Sequence, residues 1–134
     1  MLEKGITGSA SVEVTEDLSA RTMGSGTLDV FATPAMVALI ERTCWTSVAP
    51  ELDPGWSSVG ISMNVEHSAP TPLGMTVTCH SELVEVDGRK LTFRFTVQDE
   101  TGIIGGGEHQ RFLVQNSKFQ DKANRKRSQT KKEQ

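Results

Sequence analysis

The chain has 134 residues, 36% of them apolar and 23% charged, which suits one globular domain with a buried core. No apolar run approaches the roughly 20 residues of a membrane-spanning helix, and residues 1–10, with Glu3 and Lys4, lack the apolar centre of a secretory signal, so a cytoplasmic protein is expected. The net charge of −3 hides a division: residues 117–134 hold 7 basic and 2 acidic residues, near +5, against 7 and 15 in 1–116, near −8, and an acidic body excludes nucleic acid as the main partner.

In chain order, "GSASVEVTE" sets Ala10, Val12 and Val14 against Ser11, Glu13 and Thr15, a period of two that predicts a strand. "ARTMGSGTLDV" brings two glycines and a short extended stretch. A helix is then predicted from Thr33, with Thr33 as its N-cap and Pro34 at its first position, ending by Pro50 and Pro54-Gly55. "SSVGISMNVEH" alternates, with Val59, Ile61, Met63 and Val65 on one face. "MTVTCHSELVEV" is a β-branched strand, and Asp87-Gly88 marks a hairpin into "KLTFRFTVQ", where Leu91, Phe93, Phe95 and Val97 share a face. After a turn at 99–102, "IIGGGEHQRFLV" is the last strand. The basic tail, almost without apolar residues, is expected to be disordered. Cys44 and Cys79 fall inside elements without metal-ligand spacing and read as small core hydrophobes. One long helix with an apolar flank needs a sheet to cover it. The fold class expected is α+β, a curved antiparallel sheet wrapped around one central helix, the hotdog arrangement, over 1–116.

Three polar residues break this pattern. Glu41 falls on a stripe with Val37, Cys44 and Val48, so its carboxylate must be paired, hydrated in a pocket or protonated. It either borders the core beside Arg42 or Arg94, or it serves chemistry. His67 falls inward at the end of its strand, as a core histidine or as a group placed for proton transfer. The Thr33 hydroxyl sits at the amino end of the helix, as a plain cap or beside a site for developing negative charge. Gly60 and Gly105, Gly106 and Gly107 interrupt strands, either for curvature or for close approach of a ligand such as a pantetheine chain or an oxyanion. His80 and His109 fall opposite the more apolar faces of their strands and are not site candidates. No metal site and no cofactor is expected.

"FATPAMVALIERTC", "SVGISMNVEHSAPTPLGMTVTCHSELVEVDGRKLTFRFTVQD" and "IGGGEHQRFLV", over about 30–114, together resemble the hotdog-fold thioesterases related to fluoroacetyl-CoA thioesterase. The pattern is F-A-T opening the helix, Glu eight residues later, His before an A-x-T-P-x-G loop, and G-x-G-x-H-x-R in the last strand. The resemblance implies hydrolysis of an acyl-CoA, with CoA only as part of the substrate. It places catalytic roles on Thr33, Glu41 and His67, an oxyanion or substrate role on Gly60, and coenzyme contacts on Arg111, with tail cations as further candidates for its phosphates. It also implies a homodimer. Two departures stand out. "RTMGSGTLDV" has no aromatic where the fluoroacetyl enzyme has an aromatic lid, and Pro34-Ala35 replaces a Gly-Phe pair, so a broader small acyl-CoA range is expected. A hotdog dehydratase or isomerase, or a non-catalytic acyl-CoA binding module, are the alternative readings. Eight helical residues put about 12 Å between Thr33 and Glu41, so a shared site would need one of them from a second subunit.

Overall fold

The computed structural model describes residues 2–132; Met1, Glu133 and Gln134, at the ends of the segments read above, lie outside them. The elements are β1 (Thr7–Glu13), a short 3-10 turn (Glu16–Leu18), α1 (Ala20–Met23), α2 (Thr33–Val48), a second 3-10 turn (Ala49–Glu51), β2 (Trp56–His67), β3 (Thr76–Asp87), β4 (Lys90–Asp99), β5 (Gly102–Gln115) and α3 (Asn116–Lys132). The five strands form one antiparallel sheet in the order β1-β3-β4-β5-β2. The sheet curves over α2, and this is the hotdog architecture expected from the alternation.

Helix α2 buries Ala35, Met36, Leu39, Ile40, Cys44 and Val48. They meet Val77, Cys79 and Leu83 of β3 and the full Leu91, Phe93, Phe95 and Val97 face of β4. Both cysteines are free and buried, as core hydrophobes. The turn at Gly88 has φ +60°, a conformation open to glycine without a Cβ penalty, and it lets β3 return as β4.

Three elements differ from their sequence reading, each for a physical reason. Ala32, not Thr33, is the N-cap of α2, and Thr33 is the first helical residue beside Pro34. The threonine hydroxyl is therefore free for another partner. In β2 the pairing with β5 slips between Gly60 and Ser62, so Ile61 does not join Met63 and Val65 but is 50% exposed. The extra residue of this bulge turns Gly60 and Ser58 toward the helix layer. Finally, the tail expected to be disordered is helical over Asn116–Lys132. Lysine, arginine, glutamine and alanine are good helix formers. Its first turn is also tied to the sheet, since Asn116 N–H donates to the Gly55 carbonyl and Ser57 Oγ donates to Asn116 Oδ1 at 2.5 Å.

Candidate active site

At the amino end of α2, the freed Thr33 hydroxyl is hydrogen-bonded to Nδ1 of His67, the last residue of β2, at 2.8 Å. The two border a cleft of about 300 Å³ with Val30, Phe31 and the Ser68–Pro70 loop. Phe31 meets the imidazole edge-on, with ring centres 6.3 Å apart. Burial lowers the His67 pKa below its ordinary 6.5, outweighing a backbone hydrogen bond at Ala69, so the ring is neutral near pH 7. Its Nε2 is buried and has no hydrogen-bond partner among the described residues. The loop behind the ring is pinned. Thr71 Oγ1 donates to Asp99 at 2.8 Å, and Phe31 N–H donates to the Thr71 carbonyl.

Two turns along α2 lies a second cluster. Glu41, with 44% of its side chain exposed, has Oε2 3.7 Å from Nη1 of Arg111 on β5. Arg111 is almost fully enclosed. Its Nε donates to Ser58 Oγ at 2.7 Å, its Nη2 to the Ser58 carbonyl at 2.8 Å, and its Nη1 to His109 Nε2 at 3.1 Å. A guanidinium can only donate, so His109 Nε2 must be the unprotonated nitrogen. Nδ1 then carries the proton and donates to the Ser62 carbonyl, 2.8 Å away, at the β2 bulge. Burial first, and then the Arg111 charge, lower the His109 pKa and keep the ring neutral, against an upward pull from the Ser62 hydrogen bond and Glu41. Burial also pushes the nearby Cys44 thiol up to about 12, so it stays protonated. Gly60 leaves the space in front of the carboxylate open. A Cβ there would stand 2.8 Å from Glu41 Oε2 and 3.3 Å from His109 Cε1.

Known proteins resemble this chain in sequence and fold. The model of the family described as fluoroacetyl-CoA-specific thioesterase matches residues 14–117. A fluoroacetyl-CoA thioesterase from Streptantibioticus cattleyicolor is 43% identical over 98 residues, which is 73% of this chain and 70% of the relative. The chain belongs to the fluoroacetyl-CoA-specific thioesterase family. Among solved structures, a fluoroacetyl-CoA thioesterase is 34% identical and superposes with a TM-score of 0.89, covering 94% of this chain and 98% of the other. A variant of that fluoroacetyl-CoA-specific thioesterase, solved with fluoroacetate and CoA, is 35% identical with a TM-score of 0.83, covering 88% and 99%.

The span matched to the thioesterase family contains every residue of both clusters. Within one chain the fold brings Thr33 to His67, and Glu41 to Gly60 and Arg111, but it keeps the two groups about 12 Å apart along α2. Arg111, expected as a coenzyme contact, is buried with three of its N–H donors engaged by Ser58 and His109. Gly105, Gly106 and Gly107 are explained by the sheet itself. A Cβ on Gly105 would collide with the Glu66 carbonyl, one on Gly107 with the Asn64 carbonyl, and one on Gly106 would press on the Phe95 carbonyl at 3.2 Å. Their alternative reading, curvature and close strand approach, accounts for them without a pantetheine chain. His109, set aside as opposite the apolar face, is 1% exposed and faces the helix layer. In G-x-G-x-H-x-R, Gly105, Gly107, His109 and Arg111 share one face by the period of two, but with Gly106 on the other face the sequence does not mark which face is the inner one. No helix among the described residues is long and apolar enough to cross a membrane.

Proposed function

We propose that this chain hydrolyses a small acyl-CoA thioester to a carboxylic acid and the free coenzyme thiol. The observation that carries the reading is the Thr33–His67 hydrogen bond at 2.8 Å, set in the frame of a thioesterase family whose curated relative is 43% identical. In the reaction the carbon–sulfur bond breaks, a carbon–oxygen bond forms, and a water proton ends on the leaving sulfur. Glu41 acts on the carbonyl as nucleophile or as the base that activates water. His67, with Nδ1 held by Thr33, uses Nε2 to move the proton. Gly60 provides the room beside Glu41 for the carbonyl oxygen, with its N–H as the oxyanion donor.

Because α2 separates Thr33 from Glu41, the complete site takes Thr33 and His67 from one subunit and Glu41, Gly60 and Arg111 from its partner in a two-fold homodimer. In support, β2 is an edge strand of the sheet with Ile61 half exposed on it. Such an edge invites pairing with a second chain. The free buried thiols of Cys44 and Cys79 suit the reducing cytoplasm.

The acyl range is broader than fluoroacetyl. The segment 21–30 beside the Thr33–His67 cleft contains no aromatic, and only Val30 of its apolar residues lines the cleft, while Met23 and Leu28 are exposed to solvent. The test is thiol release across acetyl-, fluoroacetyl-, propionyl- and butyryl-CoA for the parent and for Thr33→Ala, Glu41→Gln and His67→Ala. Losses of about a hundredfold or more in kcat/KM are expected for Glu41→Gln and His67→Ala, with the parent turning over all four thioesters. Folded Glu41 and His67 variants as fast as the parent would overturn the assignment, and activity confined to fluoroacetyl-CoA would overturn the range.

A further inference from the structure

The guanidinium of Arg111 is a rigid planar fork, and the structure holds each of its three nitrogens separately. Ser58 takes one edge, its Oγ accepting from Nε and its carbonyl accepting from Nη2. The third nitrogen, Nη1, donates to His109 Nε2, and it is also the nitrogen 3.7 Å from Glu41 Oε2. His109 therefore acts on the one arm of the fork that faces the carboxylate. Without it the fork would be hinged along the Ser58 edge, with Nη1 left to follow a half-exposed carboxylate.

Each part of this hold has a cause in the sequence. His109 and Arg111 are two residues apart on β5, so their side chains leave the same face of the sheet. Opposite them, the slip between Gly60 and Ser62 sets the Ser62 carbonyl 2.8 Å from His109 Nδ1. That contact fixes the ring proton on Nδ1 and leaves Nε2 as the acceptor. The ring is 1% exposed and lies against Phe93, with ring centres 6.3 Å apart and planes 28° apart. An apolar side chain could fill the same place, and two polar nitrogens in a core cost free energy unless both are bonded. What the imidazole supplies beyond packing is a fixed acceptor, 3.1 Å from a group that can only donate. A Cβ on Gly60 would stand 2.8 Å from Glu41 Oε2, 3.3 Å from His109 Cε1 and 3.5 Å from Arg111 Nη1. Carboxylate, ring and fork thus border one gap.

We propose that His109 is a positioning residue for the reaction: by accepting from Nη1 of Arg111, it holds the guanidinium so that the carboxylate of Glu41 is kept at the gap left by Gly60. The inference rests on the thioester-hydrolysis reading above and adds to it a residue that acts only through another. A small displacement of a reacting group costs far more in rate than in binding, so loss of this hold falls on kcat and leaves KM nearly as it was.

The experiment measures thiol release from acetyl- and propionyl-CoA for the full chain and for His109→Gln, His109→Leu and His109→Met. A glutamine amide accepts from Arg111 with its oxygen and donates to Ser62 with its nitrogen, whereas leucine and methionine fill the space without a comparable acceptor. His109→Leu is expected to lose about tenfold or more in kcat with KM within about threefold of the parent. His109→Met is expected to do the same, and it stands in should the leucine variant fail to fold. His109→Gln is expected to stay within about threefold of the parental kcat. His80→Leu, at an exposed residue of β3, is expected to keep both parental constants. Parental kcat in the folded apolar variants overturns the inference. A glutamine variant as slow as they are also overturns it, because the shape of the ring and not its acceptor is then what counts, and so does a loss confined to KM. Crystal structures of the variants read the hold without turnover: Nη1 stays beside Glu41 Oε2 in His109→Gln and turns away in the apolar variants. That result supports the hold even if the parent cleaves no thioester, in which case only the hydrolytic reading fails. A guanidinium unmoved in the apolar variants overturns the hold itself.

Discussion

The two inward histidines differ in what fixes them. His109 is locked by geometry: a donor-only guanidinium on one nitrogen and a carbonyl on the other leave one neutral tautomer. His67 has a threonine hydroxyl on Nδ1 and no hydrogen-bond partner on Nε2 among the described residues, so its second nitrogen is the one free to exchange a proton. For both rings burial is the leading cause of a pKa below 6.5. The sign of the pH dependence follows. The unfolded chain takes up protons on these rings near 6.5, whereas the folded chain does not until the pH is lower. Between the two values the unfolded state binds more protons, and folding stability falls as pH drops through that window. Above pH 6.5 this contribution is fully present. Thermal melts from pH 8 to pH 5 should therefore lose Tm on the acid side, with a flatter profile for His67→Phe. The acid limb of kcat/KM, set by the same ring, should have its midpoint below 6.5. A midpoint above that value would contradict a buried neutral His67 as the proton carrier.

At the level of elements, the sheet was legible in the sequence and the departures from regularity were not. Leu91, Phe93, Phe95 and Val97 alternate with polar residues, and period two is all that is required to assign β4 and its inner face. Strand β2 shows the same alternation, but the bulge at Gly60–Ser62 inserts one residue, so the register that correctly points Met63, Val65 and His67 inward misplaces Ile61. A one-residue slip is set by pairing with β5, and local composition does not report it. Helix α3 was missed for a related reason. Its lack of apolar residues says that it buries little, which is true, but helix propensity and an anchored first turn are enough to form it. Thr33, Glu41 and His67 were visible as polar residues on apolar faces; His109 was not, because its burial depends on which face of β5 the glycines select. The glycines give a test of which irregularity serves chemistry. In Gly60→Ala the new methyl meets the end of the half-exposed Glu41 side chain, which can move, so Tm should change little while kcat/KM drops by roughly tenfold or more. Gly105→Ala and Gly107→Ala instead strike backbone carbonyls of β2 and should cost about 1–3 kcal/mol of stability. Melting curves beside rate assays separate the two classes. A Gly60→Ala enzyme with parental kcat/KM would remove Gly60 from the site.

For the whole molecule, one chain presents two separate polar clusters: a neutral His67 with Thr33 at the start of α2, and Glu41 with Arg111 and His109 two turns later. Helix α2 is rigid and packed against β1, β2 and β3 along its length, so bending it to merge the clusters would break the core. In the proposed homodimer, a two-fold axis that sets α2 antiparallel to its mate would place the first cluster of each chain opposite the second cluster of the other. That arrangement makes a prediction that a single-chain site cannot meet. His67→Ala alone and Glu41→Gln alone should each be nearly inactive. After unfolding and refolding an equal mixture, half of the dimers are mixed, and each mixed dimer holds one site with both residues intact and one with neither. Activity should then recover to about a quarter of that of the same amount of parent protein. Complementation that follows the mixed-dimer fraction through a mixing series would establish that the site crosses the interface. If each chain instead houses its own complete site, every site in the mixture lacks one residue and no activity returns at any ratio.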